Sequence, residues 1–152
     1  MAPLSLASLA LQQHRLIHDI YVLLDDGDRR VLAVTRLTPL EFAVLQRLDL
    51  EQGRRLTDIG AELLCVKSTI TRLVDRLEAS GLVQRTPDPD DRRAQRLLLT
   101  SEGHALCTKA SALHNTAVER RMGLLEPAEQ EVLASLLEKL RTNLHRDLSD
   151  NA

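Results

Sequence analysis

The stretch LTDIGAELLCVKSTITRLVDRLEASGLVQRTPDPDDRRAQRLLLTSEG, residues 56–103, holds the features that decide the fold. Two short amphipathic segments come first, and a hydroxyl residue stands at the start of each, Thr57 and Ser68. Two strand-prone runs follow, residues 82–86 and 95–99, on either side of a loop rich in Pro, Asp and Arg. A helix, a tight turn, a second helix and a hairpin are the order of a winged helix-turn-helix.

Further helices are predicted before this stretch. Residues 4–24 carry apolar side chains at nearly helical spacing, and the turn-prone DDGDRR of residues 25–30 is expected to end that helix. The tetrapeptide Thr38-Pro39-Leu40-Glu41 is a strong helix start, with an N-cap threonine, proline at the first helical position and glutamate at the third. This second helix is expected to run to about residue 50.

Two long helices are predicted after the hairpin. Thr100 begins the first, which is expected to reach about residue 125, and Glu126-Pro127 begins the second. The predicted fold is therefore mostly α with a small β-hairpin wing. The last helix carries one apolar stripe, formed by Val132, Leu133, Leu136, Leu137, Leu140 and Leu144.

Composition narrows the class of protein. The 152 residues are 43% hydrophobic but only 1% aromatic, with Tyr21 and Phe42 as the two aromatic side chains. Such a chain favours helix packing and lacks the aromatic faces on which single-stranded nucleic acid stacks. The net charge is −2, yet residues 54–96 hold nine basic and seven acidic side chains, a local net charge of +2. This central segment is therefore the better candidate to face a polyanion.

Targeting and cysteine signals are weak. The N-terminal apolar run has no basic segment before it, and no apolar run approaches the ~18–20 residues that span a bilayer. Cys65 and Cys107 form neither a disulfide framework nor a metal-binding spacing. We expect a reduced, cytoplasmic protein with no membrane partner, no metal site and no cofactor.

The second helix of the central motif has two distinct faces. At 100° per residue, Ile70, Leu73, Val74 and Leu77 share one face, which we expect to be buried. Short hydroxyl groups and guanidinium groups on the other side suit the major groove of DNA, where arginine can bind guanine. The same pattern also fits an ordinary solvated face. The candidate DNA-binding residues are Lys67, Ser68, Thr69, Thr71, Arg72 and Arg76.

Residues 56–103 resemble the DNA-binding lobe of the MarR family of transcriptional regulators. The family's wing pattern, Asp-x-Arg followed by Leu-Thr-x-x-Gly, is present as Asp91-Arg92-Arg93 and then Leu99-Thr100-Ser101-Glu102-Gly103. In this family the second helix of the central motif is called the recognition helix, and the strand that follows it matches here as GLVQR. The resemblance extends over residues 38–103, with Cys65 as a departure in a turn where a small residue is common.

The resemblance implies roles for the charged hairpin tip. In the family the tip enters the minor groove, and the arginine at the position of Arg93 is the inserted side chain. A narrow minor groove concentrates negative potential, which attracts a guanidinium group. Asp91 would hold Arg93, with Arg92 beside it. For Asp88 and Asp90 we expect plain solvation.

The resemblance also implies a domain organisation. Residues 1–152 would be a single domain in which residues 38–103 are the DNA-binding lobe. Residues 4–26 and 104–148 would intertwine with a second copy as dimerisation helices. Such a dimer reads a pseudo-palindrome with half-sites about one helical turn apart. The alternative is a monomer whose terminal helices fold back on it.

Family members often bind phenolic or carboxylate ligands between the dimerisation helices and the DNA-binding lobe. His14, Arg15 and His18 lie within about one turn of the first helix and could bind such an anion, Arg15 as a bidentate partner. Two alternatives stay open: a zinc site formed by His14, His18 and His104, or histidines that bind nothing.

The expected function is a homodimeric, sequence-specific DNA-binding regulator, a repressor of a pseudo-palindromic operator that a small effector relieves. A metal-responsive regulator of the same fold is one alternative. An oxidant-responsive one would use Cys65, although no cysteine lies in the first helix. A winged-helix protein–protein interaction module would carry apolar residues where Ser68 and Arg72 lie. No motif supports an enzyme.

Overall fold

The computed structural model describes residues 6–91 and 93–150, and it confirms a mostly helical fold with a small antiparallel sheet. The chain forms two compact units, the first ending at His114 and the second beginning at Asn115. In chain order the elements are α1 (Leu6–Leu32), a 3₁₀ turn (Ala33–Thr35), α2 (Pro39–Leu45), β1 (Arg54–Arg55), α3 (Leu56–Glu62), α4 (Lys67–Ala79), β2 (Val83–Pro87), β3 (Gln95–Leu99), α5 (Ser101–Met122) and α6 (Pro127–Asp150).

Helix α1 is longer than its sequence predicts. The DDGDRR segment does not end it, because Arg29 Nε donates to Asp25 at 2.7 Å and Arg30 Nε donates to Asp26 at 2.8 Å. Both are i, i+4 pairs, which stabilise a helix and offset the turn-forming tendency of the segment. The helical stretch ends only after the 3₁₀ turn, where Arg36 has a left-handed backbone with φ of 59°.

The capping box at Thr38 is confirmed, whereas the expected end of α2 near residue 50 is wrong. The amide of Glu41 donates to Thr38 Oγ1 at 3.2 Å, and the amide of Thr38 donates to Glu41 Oε2 at 2.9 Å. The helix ends at Leu45. A few residues later, Asp49 Oδ1 accepts three successive amides, those of residues 51–53, and the chain turns there instead of continuing as a helix.

Thr57 and Ser68 do not cap the two helices of the helix-turn-helix, contrary to expectation. Arg55 precedes α3 and Val66 precedes α4, each with an extended backbone and no capping side chain. For α3 the reason is β1, a strand absent from the sequence prediction, because pairing with β3 holds Arg55 extended. Both hydroxyl residues therefore lie within the first helical turn.

The three strands form a sheet in the order β1-β3-β2, with antiparallel neighbours. The predicted hairpin is confirmed: β3 has the expected bounds, and β2 lies one residue further along the chain. Leu97 in the central strand pairs with Arg54 on one side and with Arg85 on the other. The sheet thus connects the chain before α3 to both strands of the wing.

The Leu-Thr-x-x-Gly pattern joins the wing to α5. Thr100 Oγ1 donates to the carbonyl of Gly81 at 2.6 Å and accepts the amide of Gly103 at 3.0 Å. The amide of Thr100 donates to the carbonyl of Leu82 at 3.1 Å. A Cβ atom at Gly103 would overlap that same carbonyl oxygen. Only glycine therefore allows this close approach of helix and loop.

The core of the first unit lies beneath α4 and the sheet. Its largest fully buried side chains are Leu32, Leu45, Ile59, Ile70, Leu73, Leu97, Val44 and Val74. Helix α1 is only partly covered, and Leu16, Ile17, Ile20 and Leu23 along it are exposed. In the second unit, α6 has no buried residue, and the stripe predicted from Val132 to Leu144 is exposed along its length.

Candidate nucleic-acid interface

Helix α4 presents the two faces that its sequence predicts. Ile70, Leu73, Val74 and Leu77 are buried, which confirms the apolar face. The polar candidates lie on the exposed side, although Thr71 is half-buried and its hydroxyl donates to the carbonyl of Lys67 at 2.8 Å. The candidates that are exposed to solvent are Lys67, Ser68, Thr69, Arg72 and Arg76.

Ion pairs separate the cations of α4 into two groups. Arg76 Nη2 lies 3.4 Å from Glu41, which is 10% exposed, so part of its charge is compensated. Within residues 6–91 and 93–150, neither Lys67 nor Arg72 has an ion-pair partner. Asp75 does not pair with Arg72, because it accepts Arg85 Nη2 from β2 at 2.5 Å. Arg72 is thus left open to an external anion.

Arg85 fixes the base of the wing against α4. Its guanidinium group also donates to Glu78, and its amide donates to the same carboxylate at 3.3 Å. The side chain is 20% exposed. Both acidic partners belong to the recognition helix, so Arg85 serves as a link between the two candidate DNA-contacting elements.

The wing tip holds Arg93 by its backbone. Asp91 Oδ1 accepts the amide of Arg93 at 2.9 Å, and the carbonyl of Asp91 accepts the amide of Ala94 at 2.9 Å. The Arg93 side chain is exposed. Asp91 therefore holds the backbone of Arg93 in a tight turn, as expected of a supporting contact, and the guanidinium group is left exposed to solvent. Arg92, the third candidate here, lies outside the described residues.

Asp88 is not solvated, and the expectation for it was wrong. Its side chain has no exposed surface, and it accepts Arg55 Nε at 2.7 Å and Arg96 Nε at 2.9 Å. Hydrogen bonds from Arg55, and then from Arg96, hold the pKa of Asp88 well below its ordinary value. The sequence missed this site because one partner comes from the unpredicted strand β1. Asp90 is exposed, as expected, but its Oδ2 also lies 3.8 Å from Arg96 Nη2.

The candidate effector residues lie together on α1 and are all exposed. They are His14, Arg15 and His18, and His18 Nδ1 lies 3.9 Å from Asp19. Arg15 borders a shallow depression that is otherwise lined by Ala7, Ser8, Leu11 and Gln12. Among the described residues, no three His, Cys, Asp or Glu side chains converge to hold a metal ion. The three-histidine zinc alternative therefore has no preformed site within one chain.

A second cleft in the first unit was not predicted from the sequence. It has a volume of about 540 Å³ and combines two guanidinium groups with an apolar floor. Its signal in the sequence is weak, because its residues come from three separate segments, residues 35–41, residues 76–82 and residue 106. The lining residues are Thr35, Arg36, Leu37, Glu41, Arg76, Leu77, Ala79, Ser80, Leu82 and Leu106.

Neither thiol is placed as a typical redox sensor. Cys65 is half-buried, and its Sγ donates to the carbonyl of Leu63 at 3.5 Å. Cys107 is buried, and burial raises the pKa of its thiol, which disfavours the reactive thiolate.

A helix that spans a bilayer needs both sufficient length and sufficient hydropathy. None in the described part of the chain meets both requirements.

Comparison with known proteins agrees with this geometry. The family model described as "MarR family" matches residues 37–94. The HTH-type transcriptional regulator YkoM of Bacillus subtilis is 37% identical over 66% of this chain and 66% of its own length, just under two thirds. The HTH-type transcriptional regulator MhqR of the same species is 31% identical over 70% of this chain and 74% of its own length.

Several similar solved structures contain DNA. Among them is the transcriptional repressor CouR bound to a 23-mer DNA duplex, which superposes with a TM-score of 0.80 at 29% identity. The match covers 92% of this chain and 99% of that one. The fold described above is thus the fold of a protein that has been observed on DNA.

Proposed function

This chain belongs to the MarR family of DNA-binding transcriptional regulators, which are not enzymes, and we propose that it is a homodimeric repressor of a pseudo-palindromic operator. The supporting observation is that two separate elements each present an exposed arginine: Arg72 on α4 and Arg93 at the wing tip. The first suits base edges in the major groove, and the second suits the narrow minor groove beside it. As a repressor of transcription it would act in the cytoplasm.

The candidate residues divide by the contact we assign to them. Arg72 and Thr69, which line a groove of about 390 Å³ on the exposed side of α4, would contact base edges. Lys67 and Ser68 lie in the first turn, where the helix begins without a capping side chain, so a phosphate can bind the free backbone amides there. We assign Thr71 and Arg76 to supporting contacts, and Arg92 to the DNA backbone beside Arg93.

Dimerisation is supported by apolar surface that each unit leaves uncovered. Residues of α1 such as Ile17 and Ile20 are about half exposed, and so are Leu136 and Leu140 of α6. Contiguous apolar patches of this kind are rare on the surfaces of soluble monomers and mark interaction sites. A second copy of the same chain would cover them and would place two recognition helices on one face of DNA.

The operator and the assembly are tested together. Selection from random duplex DNA should enrich a two-fold symmetric site with half-sites about one helical turn apart. Light scattering should give the mass of a dimer, both alone and on that duplex. A lack of enriched sequence, or a monomer on DNA, would contradict the proposal. A protein–protein module would enrich no sequence, and the exposed Ser68, Thr69 and Arg72 already disfavour it.

We further propose that a small organic anion relieves repression by binding His14, Arg15 and His18. Arg15→Ala should leave the affinity for DNA nearly unchanged and weaken the release caused by a phenolic carboxylate. Lys139→Ala, which removes an exposed cation of α6, is the control and should respond as the parent does. If no compound of a phenolic carboxylate panel shifts the melting temperature or the DNA affinity of the parent, the effector proposal fails.

The 540 Å³ cleft is the competing location for such an anion. It offers Arg36, and Arg76 paired with Glu41, beside four leucines. Arg76 belongs to the recognition helix, so an occupant would touch the proposed DNA-contacting element directly. Arg36→Ala separates the two locations. If it abolishes the response that Arg15→Ala leaves intact, the effector binds in the cleft.

A further inference from the structure

We propose that Asp88 is a positioning residue for DNA recognition: bound by Arg55 and Arg96, it fixes the wing tip relative to the helix-turn-helix. We call these three side chains the Asp88 clasp. The inference rests on the proposed function, since it assigns the clasp the task of presenting Arg93 to the minor groove.

The two oxygens of Asp88 receive five hydrogen bonds. Oδ2 accepts Arg55 Nε at 2.7 Å and Arg96 Nε at 2.9 Å, while Oδ1 accepts Arg55 Nη2 at 3.0 Å. Oδ1 also accepts the amides of Asp90 at 2.9 Å and Asp91 at 3.1 Å. One carboxylate therefore holds three segments together: β1, β3 and the hairpin tip.

A chain of hydrogen bonds leads from the clasp to Arg93. Asp88 holds the amide of Asp91, and the Asp91 carboxylate in turn holds the amide of Arg93 at 2.9 Å. The amide of Asp88 donates to the carbonyl of Ala94 at 3.0 Å and closes the loop from the other side. The backbone of Arg93 is thus ordered before DNA binds, so less conformational entropy is lost on binding.

The clasp also reaches the helix-turn-helix. Arg55 is the residue directly before α3, 33 positions from Asp88, and it makes the bidentate contact. The strand that carries it pairs with β3 over two residues only. Without the clasp, so short a pairing would be the main link between the start of α3 and the wing. The clasp thus adds a second link between the wing and the helix-turn-helix, beside the one that Arg85 makes to α4.

Charge gives the proposal a signature that a loss of folding would not produce. The clasp carries two positive charges and one negative charge, and Arg55 and Arg96 are only 36% and 27% exposed. Asp88→Asn loosens the tip and removes the carboxylate that Arg55 and Arg96 share, which leaves Arg96 with only the longer ion pair to Asp90 at 3.8 Å and raises the positive charge next to the wing. Operator affinity should fall, because Arg93 is no longer ordered. Affinity for nonspecific duplex should stay equal or rise, because the added charge attracts any phosphate backbone.

The experiment compares Asp88→Asn with Glu131→Gln, an exposed carboxylate on α6 whose removal makes the same change in charge. Both are titrated with the selected operator and with a nonspecific duplex of equal length. We expect the ratio of the two affinities to fall about tenfold for Asp88→Asn, the size of a lost groove contact, and to stay at the parental value for Glu131→Gln. Equal losses on both duplexes would show that Asp88 is merely structural and would overturn the proposal.

A double variant tests whether Asp88 acts on DNA binding through Arg93. If Asp88 acts by presenting Arg93, Asp88→Asn should reduce operator affinity much less in an Arg93→Ala background than in the parent. Fully additive losses would overturn the proposal. If Arg93→Ala alone leaves binding unchanged, the wing contact of the proposed function is wrong, and the clasp has no Arg93 contact to serve. Should Asp88→Asn fail to fold, Arg55→Lys keeps the charge but loses the bidentate contact, and the same ratio should fall.

Discussion

The recognition helix and the wing contain similar charged residues but use them in opposite ways. On α4, Arg72 and Lys67 have no ion-pair partner among the described residues. In and around the wing, by contrast, Arg55, Arg85 and Arg96 are all bound by carboxylates. A helix positions its side chains through its own backbone, whereas a hairpin loop must be held by its side chains. Most of the described arginines in and around the wing therefore support the loop instead of reaching outward.

The largest expected effect concerns the junction that the two regions share. Gly103→Ala would push a methyl group into the carbonyl of Leu82 and should lower the free energy of unfolding by about 3 kcal/mol. Gly81→Ala is the matched control. It has the left-handed φ of 70° but no atom within 4 Å of the added carbon, so only backbone strain of about 1 kcal/mol is expected. Urea unfolding measures both, and equal losses would contradict the steric explanation.

Next in size is the effect of removing Arg72, one of the two cations of α4 without an ion-pair partner among the described residues. Arg72→Ala should weaken operator binding by about 1–3 kcal/mol and relax the preference at one base position in each half-site. Arg76→Ala should cost less, because that side chain is already paired with Glu41. Titration of each variant against single-base variants of the operator is the measurement. An equal loss of affinity for all operator sequences would mean that Arg72 contacts phosphate. The recognition helix and the wing would then differ less in the kind of DNA contact they make.

Removal of Arg93 should weaken binding by a similar or smaller amount, but with a different signature. Preference at the core bases should persist, changes should be confined to A·T-rich flanks, and the salt dependence should flatten by about one unit of slope. Arg141→Ala, an exposed cation of α6 outside the proposed interface, is the control for net charge. If Arg93→Ala binds as tightly as the parent at every salt concentration, the wing does not engage DNA.

A smaller effect should appear in the pH dependence of stability. The folded-state pKa of Asp88 lies below the ordinary 3.8, so its contribution is fully present above that pH and is lost as the pH falls below it. The difference in unfolding free energy between the parent and Asp88→Asn should therefore be constant from pH 7 to about 5 and shrink towards pH 3. A difference that does not change with pH would mean that the carboxylate charge is unimportant.

The smallest expected effect is that of Cys65→Ser. Because Cys65 is half-buried and pairs only weakly with a backbone carbonyl, DNA binding should match the parent before and after mild peroxide treatment. Electrophoretic mobility shifts under both conditions test this. Loss of parental binding on oxidation, with protection in the variant, would establish the oxidant-responsive alternative.

Sequence patterns predicted the features that depend on local spacing. The buried face of α4, the bounds of β3 and the capping box at Thr38 follow from periodicity and short-range chemistry. What failed depends on distant partners: Asp88 is buried because Arg55 arrives from β1, a strand of two residues with no strand-like composition. The prediction that α1 ends at Asp25 failed for another reason. The i, i+4 ion pairs in this segment stabilise the helix more than its turn-prone residues disfavour it.

In the proposed dimer, the uncovered apolar residues of α1 and α6 would determine how the regulator responds to its own abundance. If only the dimer binds the operator, and chains are mostly single at low concentration, occupancy rises with the square of the amount of protein. Halving expression would then reduce the bound fraction up to fourfold. A substitution such as Leu136→Asp, which leaves every side chain of the proposed DNA interface intact, would shift this threshold upward. Dosage sensitivity would thus originate in surface that never touches DNA.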